Sequence, residues 1–338
     1  MQYASYFTAA AFICSCARSL AFSFVPSTLS RQPAQQQSTN VNVLNMAASK
    51  PDQLPSQAKR YFIRPDRILD VVTSAPQLLL RLGSGALVDG YRFKISREEE
   101  GDDGEYTFVR ALGFKVTERG NTWERQQPRK PIEIYEFEGC PFCRKVREAV
   151  NILDLDVVFY PCPQDGPTFR PKATKLGTNT FPYMVDPNSK TSMAESDDIV
   201  AYLFETYGEG AKASPRHFRC LQVPFQLSLG FLTTLTAGLG MLPRGLKGSK
   251  YTPAKMPKKP LELWGYEASP FTKVVREKLC ELEIPHKFVA AARGSPKRQR
   301  LYEMAGAGQT PYLIDPNTGA KGYESSEIND YLDETYRL

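Results

Sequence analysis

Residues 131–209 align with residues 260–338 at a constant offset of 129 and without a gap, and 25 of the 79 paired positions are identical. This repeat constrains the fold more than any other feature of the chain, because a unit repeated in register is one supersecondary assembly built twice. The identities fall in three blocks. The first sets Pro131-Ile132-Glu133-Ile134-Tyr135 and Cys140-Pro141-Phe142-Cys143 against Pro260-Leu261-Glu262-Leu263-Trp264 and Ser269-Pro270-Phe271-Thr272. The second sets residues 182–188 against 311–317, and the third sets Glu195-Ser196 and 199–207 against Glu324-Ser325 and 328–336. The chain thus divides into 1–50, 51–130, a first module at 131–210, a connecting stretch at 211–259 and a second module at 260–338.

Each repeat reads as a small α/β unit. Ile132 to Phe137 alternates as a strand does. Pro141 lies where a helix begins, and Val146, Val150 and Leu153 share one helical face over Arg144 to Leu155. Val157 to Tyr160 is a second strand. A polar helical stretch with Arg170, Lys172 and Lys175 ends near Gly177. Tyr183 to Val185 is a third strand, Asp186-Pro187-Asn188 a turn before a short fourth, and Ser196 to Tyr207 a closing helix. The order βαβ–α–ββ–α predicts two tandem thioredoxin-like domains of the α/β class.

Cys140 and Cys143 form a Cys-x-x-Cys pair at the strand-to-helix junction. There the free N–H groups and the helix dipole favour a thiolate on Cys140. The thiolate is the species that attacks a disulfide, and Cys143, one turn on, can return to resolve it. Arg144, Lys145 and Arg147 add positive charge; Glu136 and Glu138 oppose it. Half a zinc site and two buried thiols are the competing readings. With no second pair and only His217 and His286 in the chain, a four-ligand zinc site is not expected, and no metal is assigned. Ser269 and Thr272 replace the pair in the second module, which removes thiol chemistry there. Cys162 and Cys280 read as buried free thiols.

With these motifs both repeats resemble glutaredoxins and the N-terminal domain of glutathione transferases, over just under half of the chain. Two such modules without an all-helical transferase C-terminal domain resemble a plastid family of plants and algae. The first module is also similar to the thioredoxin-like domain of membrane-associated type 2 prostaglandin E synthases. The resemblance implies glutathione as the cofactor, held beside the Cys140-Pro141-Phe142-Cys143 motif. Pro182, after Phe181, stands at the family's cis-proline, whose preceding backbone pairs with the cysteinyl part of glutathione. Glu195, Ser196 and Asp197 match the site for the γ-glutamyl end. Ser196 also reads as a plain helix N-cap, and the two roles are compatible. In the second module Pro311 and Glu324-Ser325 remain, and Ser269 would donate a hydrogen bond to the glutathione sulfur as in serine-type transferases. The alternative there is a structural copy that packs on the first module. Ser326 replaces Asp197, so glutathione is expected to prefer the first module.

The rest of the chain carries other signals. No Asp or Glu precedes Asp52. Ala9 to Cys16 is an apolar run too short to span a bilayer, followed by a hydroxyl-rich stretch to Lys50. With Ala21-Phe22 resembling a plastid preprotein cleavage motif of algae with secondary plastids, residues 1–50 read as a bipartite plastid presequence. A disordered tail and a plain secretory signal are the alternatives. Cys220 to Pro243 holds no charge and is bracketed by Arg216, Arg219, Arg244, Lys247 and Lys250. Residues 223–242 are long enough to cross a membrane but are diluted by Gln226, Ser228, threonines and glycines. A second apolar segment spans Ile68 to Val88. The favoured reading packs the two segments together as helices, one ahead of each module; membrane association through 223–242 is the other. Residues 91–130, with the run Glu98 to Asp103, read as an exposed connector. The formal charge is +6, without a dense basic patch, so nucleic acid is not an expected partner.

The functional expectation is a glutathione-linked thiol–disulfide oxidoreductase of glutaredoxin type acting on protein disulfides. The alternatives are a non-catalytic glutathione- or partner-binding scaffold and a transferase or isomerase working on bound glutathione.

Overall fold

In the computed structural model the described residues are 54–59, 63–97, 105–124, 127–208 and 223–338. Residues 1–50, which read as a presequence in the sequence, the acidic run at 98–103 and Arg216, Arg219 and Cys220 lie outside them. In chain order, α1 (Ile68–Ser74) and α2 (Pro76–Leu80) precede three strands, β1 (Arg92–Arg97), β2 (Val109–Ala111) and β3 (Phe114–Arg119). The first module follows: β4 (Ile132–Glu136), α3 (Pro141–Ile152), β5 (Asp156–Pro161), α4 (Phe169–Lys175), β6 (Tyr183–Asp186), β7 (Thr191–Ala194) and α5 (Ser196–Tyr207). Then come α6 (Phe225–Ser228) and α7 (Phe231–Met241), and the second module: β8 (Leu261–Gly265), α8 (Pro270–Glu281), β9 (His286–Ala290), α9 (Lys297–Ala305), β10 (Tyr312–Ile314), β11 (Lys321–Tyr323) and α10 (Ser325–Tyr336).

Both modules have the thioredoxin-like arrangement. β4 pairs in parallel with β5 and antiparallel with β6, and β8 does the same with β9 and β10. The two sheets are not separate. β5 and β9 pair antiparallel, with Asp156 opposite Val289 and Phe159 opposite His286, and give one eight-stranded sheet in the order β11-β10-β8-β9-β5-β4-β6-β7. A single apolar core runs beneath the seam, joining Ile134, Val157 and Phe159 to Leu263, Val275 and Phe288.

The segments ahead of the modules cross over. α1 packs on α8 of the second module, α7 packs on α3 of the first, and α2 packs against α7. At that last contact Gly240 lies so near Gln77 that a Cβ would overlap its side chain. The two apolar segments therefore pack together, but residues 223–242 do not form one long helix. Gly230, at φ 55°, breaks the stretch between α6 and α7, a backbone region that glycine enters without a Cβ clash. No described helix is long and apolar enough to cross a membrane.

The connector also differs from the sequence reading. Residues 92–119 form a three-stranded antiparallel sheet, β1-β3-β2. Residues between β1 and β2 seat it on the second module: the Arg293 guanidinium lies 3.6 Å from the Phe108 ring centroid, and Tyr106 packs over Gly308. The strands expose most of their side chains, so their composition gave no alternation to betray them.

Candidate functional site

Cys140 occupies the N-cap of α3, in extended backbone. Its sulfur accepts a hydrogen bond from the Cys143 main-chain N–H at 3.3 Å and lies 3.7 Å from the Phe181 carbonyl oxygen. The Phe181–Pro182 bond is cis, which brings that carbonyl to the sulfur. The hydrogen bonds from Cys143, side chain first and main chain second, hold the Cys140 thiol below its ordinary pKa despite burial. Burial pushes Cys143 well above it, and Cys162 and Cys280 likewise. The cysteines thus differ as a nucleophile and a resolver must. All four described cysteines are free, and Cys140 is only 4% exposed. Beside it Phe142 is 48% exposed. Phe181 stands edge-on to Phe137 with the Arg170 guanidinium 5.0 Å from its centroid.

Behind the cysteines lies a buried cluster of charges built on the repeat. Arg147 pairs with Glu136, with Glu138 at 3.4 Å and with Glu267 at 3.1 Å. Its counterpart Arg276 pairs with Glu138 at 3.1 Å and Glu267 at 2.8 Å. Arg144 and Lys273, again counterparts, reach Glu267 and Glu138 across the seam. The helices outside complete the pattern: Arg81 forks onto Glu148 at 2.6 and 3.0 Å, and Arg244 onto Glu277 at 3.1 Å. Buried charges at this density persist only when paired. Burial works against ionisation of Glu138, yet Arg147, Arg276 and Lys273 hold it below the usual carboxylate range. Burial wins at Glu136, which is raised to about 7 against the pull of Arg147, with Glu138 adding to the rise.

Glu136 has no counterpart in the second module. Gly265 stands there, and a Cβ on it would overlap the side chain of Thr272. By the repeat, the Glu136 side chain emerges against Cys143. The charge on Glu136 raises the pKa of Cys143, as expected of close neighbours. The first module has therefore a buried acid beside Cys143, and the second has neither acid nor thiol there.

The remaining site residues divide by module. Glu195 is exposed at φ 69° and is itself the N-cap, while Ser196 is buried in the first turn of α5. The plain N-cap reading of Ser196 is therefore corrected: the chain turns one residue earlier than the sequence pattern suggests. Asp197, an expected partner of a γ-glutamyl amine, already pairs with Lys145. Pro141, Phe142, Phe181 and Pro182 come together around Cys140. In the second module Ser269 is buried at the N-cap of α8, with its oxygen accepting from Thr272 N–H at 3.2 Å, and Thr310–Pro311 is cis. Ser325 is buried, and Glu324 is engaged by the chain's own segment 54–59. The Lys59 N–H donates to its carboxylate at 2.7 Å, and Tyr323 N–H donates to Pro55 oxygen at 2.9 Å along β11. Sequence reasoning missed both this strap and the buried charge cluster. Its trace was in the repeat: Glu138, Arg147 and Glu148 are unchanged in Glu267, Arg276 and Glu277.

Comparison with known proteins agrees with this geometry at the level of the module. Residues 134–211 and 263–338 each match the family model of the glutathione S-transferase N-terminal domain. Each of the two tandem thioredoxin-like modules is thus of the glutathione S-transferase N-terminal kind, and the two matches together cover just under half of the chain. Among solved structures, a trimeric glutathione transferase of Leishmania, TDR1, is similar at 13% identity, over 62% of this chain and 68% of that one, with a TM-score of 0.23. No curated protein matches the sequence.

Proposed function

We propose that the protein is a glutathione-linked thiol–disulfide oxidoreductase of glutaredoxin type, working from the first module. The observation that carries this reading is Cys140, a helix N-cap thiol of lowered pKa, bonded by the Cys143 N–H and set beside the cis-proline carbonyl. The Cys140 thiolate attacks a disulfide, forms a mixed disulfide and releases one thiolate. Cys143 gives its proton to Glu136 and attacks the Cys140 sulfur, which releases the second thiolate. Two glutathione molecules then reduce the Cys140–Cys143 disulfide and leave as glutathione disulfide. Glutathione lies along the Phe181 backbone, with its γ-glutamyl end toward Glu195 and Ser196. Protein disulfides are the substrates, and residues 1–50 direct the chain to a plastid.

Glutathione-dependent reduction of a small mixed disulfide tests this reading. Cys140→Ser is expected to lower the rate by roughly a thousandfold or more, and Cys140 to be alkylated faster than Cys143, Cys162 and Cys280 at neutral pH. A Cys140→Ser variant with full activity would overturn Cys140 as the nucleophile, and a wild type without activity would move the function to the binding-scaffold reading. Import of a fluorescent fusion of residues 1–50 tests the location.

A further inference from the structure

The two helical segments ahead of the modules are inside out. α7 and the turn after it expose Phe231, Leu232, Leu235, Leu239, Leu242 and Leu246, the first of them 76% and the last 55% exposed. The spacing of three, four and three residues puts Leu232, Leu235, Leu239 and Leu242 on one face. The face of α7 turned into the protein carries Thr233, Ala237 and Gly240, with Met241 at its end. The α1–α2 segment does the same. It exposes Leu69, Val72, Leu79 and Leu82 and buries Ser74, Gln77 and Arg81. The inner faces are polar or small for a structural reason: Arg81 serves Glu148, the Gln226 carbonyl and Thr236, and Gly240 admits Gln77. Small residues at the helix contact with leucines pointing away is the pattern of helices bathed in lipid. A helix resting on a water-facing domain has the reverse pattern.

We infer that this leucine face seats the protein on the surface of an anionic bilayer, with α1, α2 and α7 lying in the plane of the interface. Charge complementarity selects the occupant. Residues 223–260 contain six cations and no acid; directly beyond the stripe Lys250 is exposed, and Lys247 is half-exposed although it also pairs with Asp70 at 2.8 Å. Anionic headgroups satisfy them, whereas a second copy meeting the same face would set lysine against lysine. α7, at 11 residues, rises only about 16 Å, against the roughly 30 Å of a hydrocarbon core, so it lies on the membrane and does not cross it. The seat adjoins the redox site. Ser249 packs on Gly139, next to Cys140, and Gly248 on Glu138. A bilayer under Leu246 therefore brings Cys140 to the membrane surface, and the disulfides within its reach are those of membrane-bound proteins.

Flotation of the full chain with vesicles tests the seat. Wild type is expected to float with phosphatidylcholine vesicles containing phosphatidylglycerol and to be weakened by salt. Leu232→Gln with Leu235→Gln and Leu239→Gln is expected to lower that binding about tenfold or more, while the thermal midpoint and activity on a soluble disulfide stay as in wild type. Lys247→Glu with Lys250→Glu is expected to abolish the preference for anionic over neutral vesicles. The proposal is overturned if wild type stays in the lipid-free fraction or the triple variant floats as wild type does. It is equally overturned if sedimentation shows a dimer that the three glutamines dissolve, since the face would then belong to a second copy. None of these outcomes depends on the redox assignment.

Discussion

The two modules share a backbone plan and differ at the place where chemistry is done. Around the α3 N-terminus stand two thiols, a buried acid at Glu136 and an exposed Glu195. Around the α8 N-terminus stand Ser269, Thr272 and Gly265, and Glu324 is already bonded to Lys59 N–H. The hydrogen bond from the third helical position to the N-cap side chain survives in both, at 3.3 Å to sulfur and 3.2 Å to oxygen. The donor geometry is therefore a property of the fold, and the thiol, the acid and the open flank are what the first module adds.

The sharpest way to break this comparison is to graft cysteines onto the second module. In a Cys140→Ser background, Ser269→Cys with Thr272→Cys is expected to leave disulfide reduction roughly a thousandfold below wild type, because the acid is missing and the strap holds Glu324. Recovery to near wild-type rate in the mixed-disulfide assay would show that the cysteines alone separate the modules.

A second difference lies at the seam. His286 occupies the position that Val157 holds in the first module, and burial lowers its pKa to about 4. Its Nδ1–H donates to the Ile284 carbonyl at 3.1 Å and its ring faces Phe159. The unfolded chain takes up the proton near pH 6.5 and the folded chain refuses it. Stability is thus full above about pH 6.5 and falls between there and about pH 4, by on the order of 3 kcal/mol. Chemical denaturation across that range is expected to show less of this acid loss in His286→Val.

Glu136 sharpens the comparison on the side of catalysis. As a base it works only when ionised, so the Cys143-dependent step is expected to accelerate as pH rises through about 7. Glu136→Gln is expected to slow that step about a hundredfold and to remove the inflection, while alkylation of Cys140 stays fast. Stopped-flow release of the second thiol from a mixed disulfide reads the step directly. The smallest expected effect concerns glutathione itself. Glu195→Gln weakens its binding to the full chain about tenfold, and Glu324→Gln leaves it unchanged, as calorimetry would record.

Much of this was readable in the chain. The 129-residue offset placed β4, α3 and α5 close to where they lie, and the Cys140-Pro141-Phe142-Cys143 run placed the nucleophile at a helix start. The fusion of β5 with β9 was not readable, because edge pairing is made by main-chain groups and leaves strand alternation unchanged. The pairing of Arg144, Arg147 and Glu148 in the buried cluster was not readable either, since nothing local distinguishes an exposed charge from one paired across the seam. The strap at 54–59 has no periodicity at all, and its contacts with Glu324 and Tyr323 are also made through the main chain.

The antiparallel seam carries a consequence for the history of the duplication. Each half gives up its outer strand, β5 or β9, as the hydrogen-bonding partner of the other. Glu138 of one half is neutralised by Lys273 and Arg276 of the other. The second copy, without the thiols, therefore still has a structural part: deleting it would leave the first half with a raw strand edge and with Glu138 held by Arg147 alone. Cysteines can thus be absent from the second copy while its strand edge and basic side chains remain in use, and heat or denaturant is expected to melt both halves in one cooperative transition.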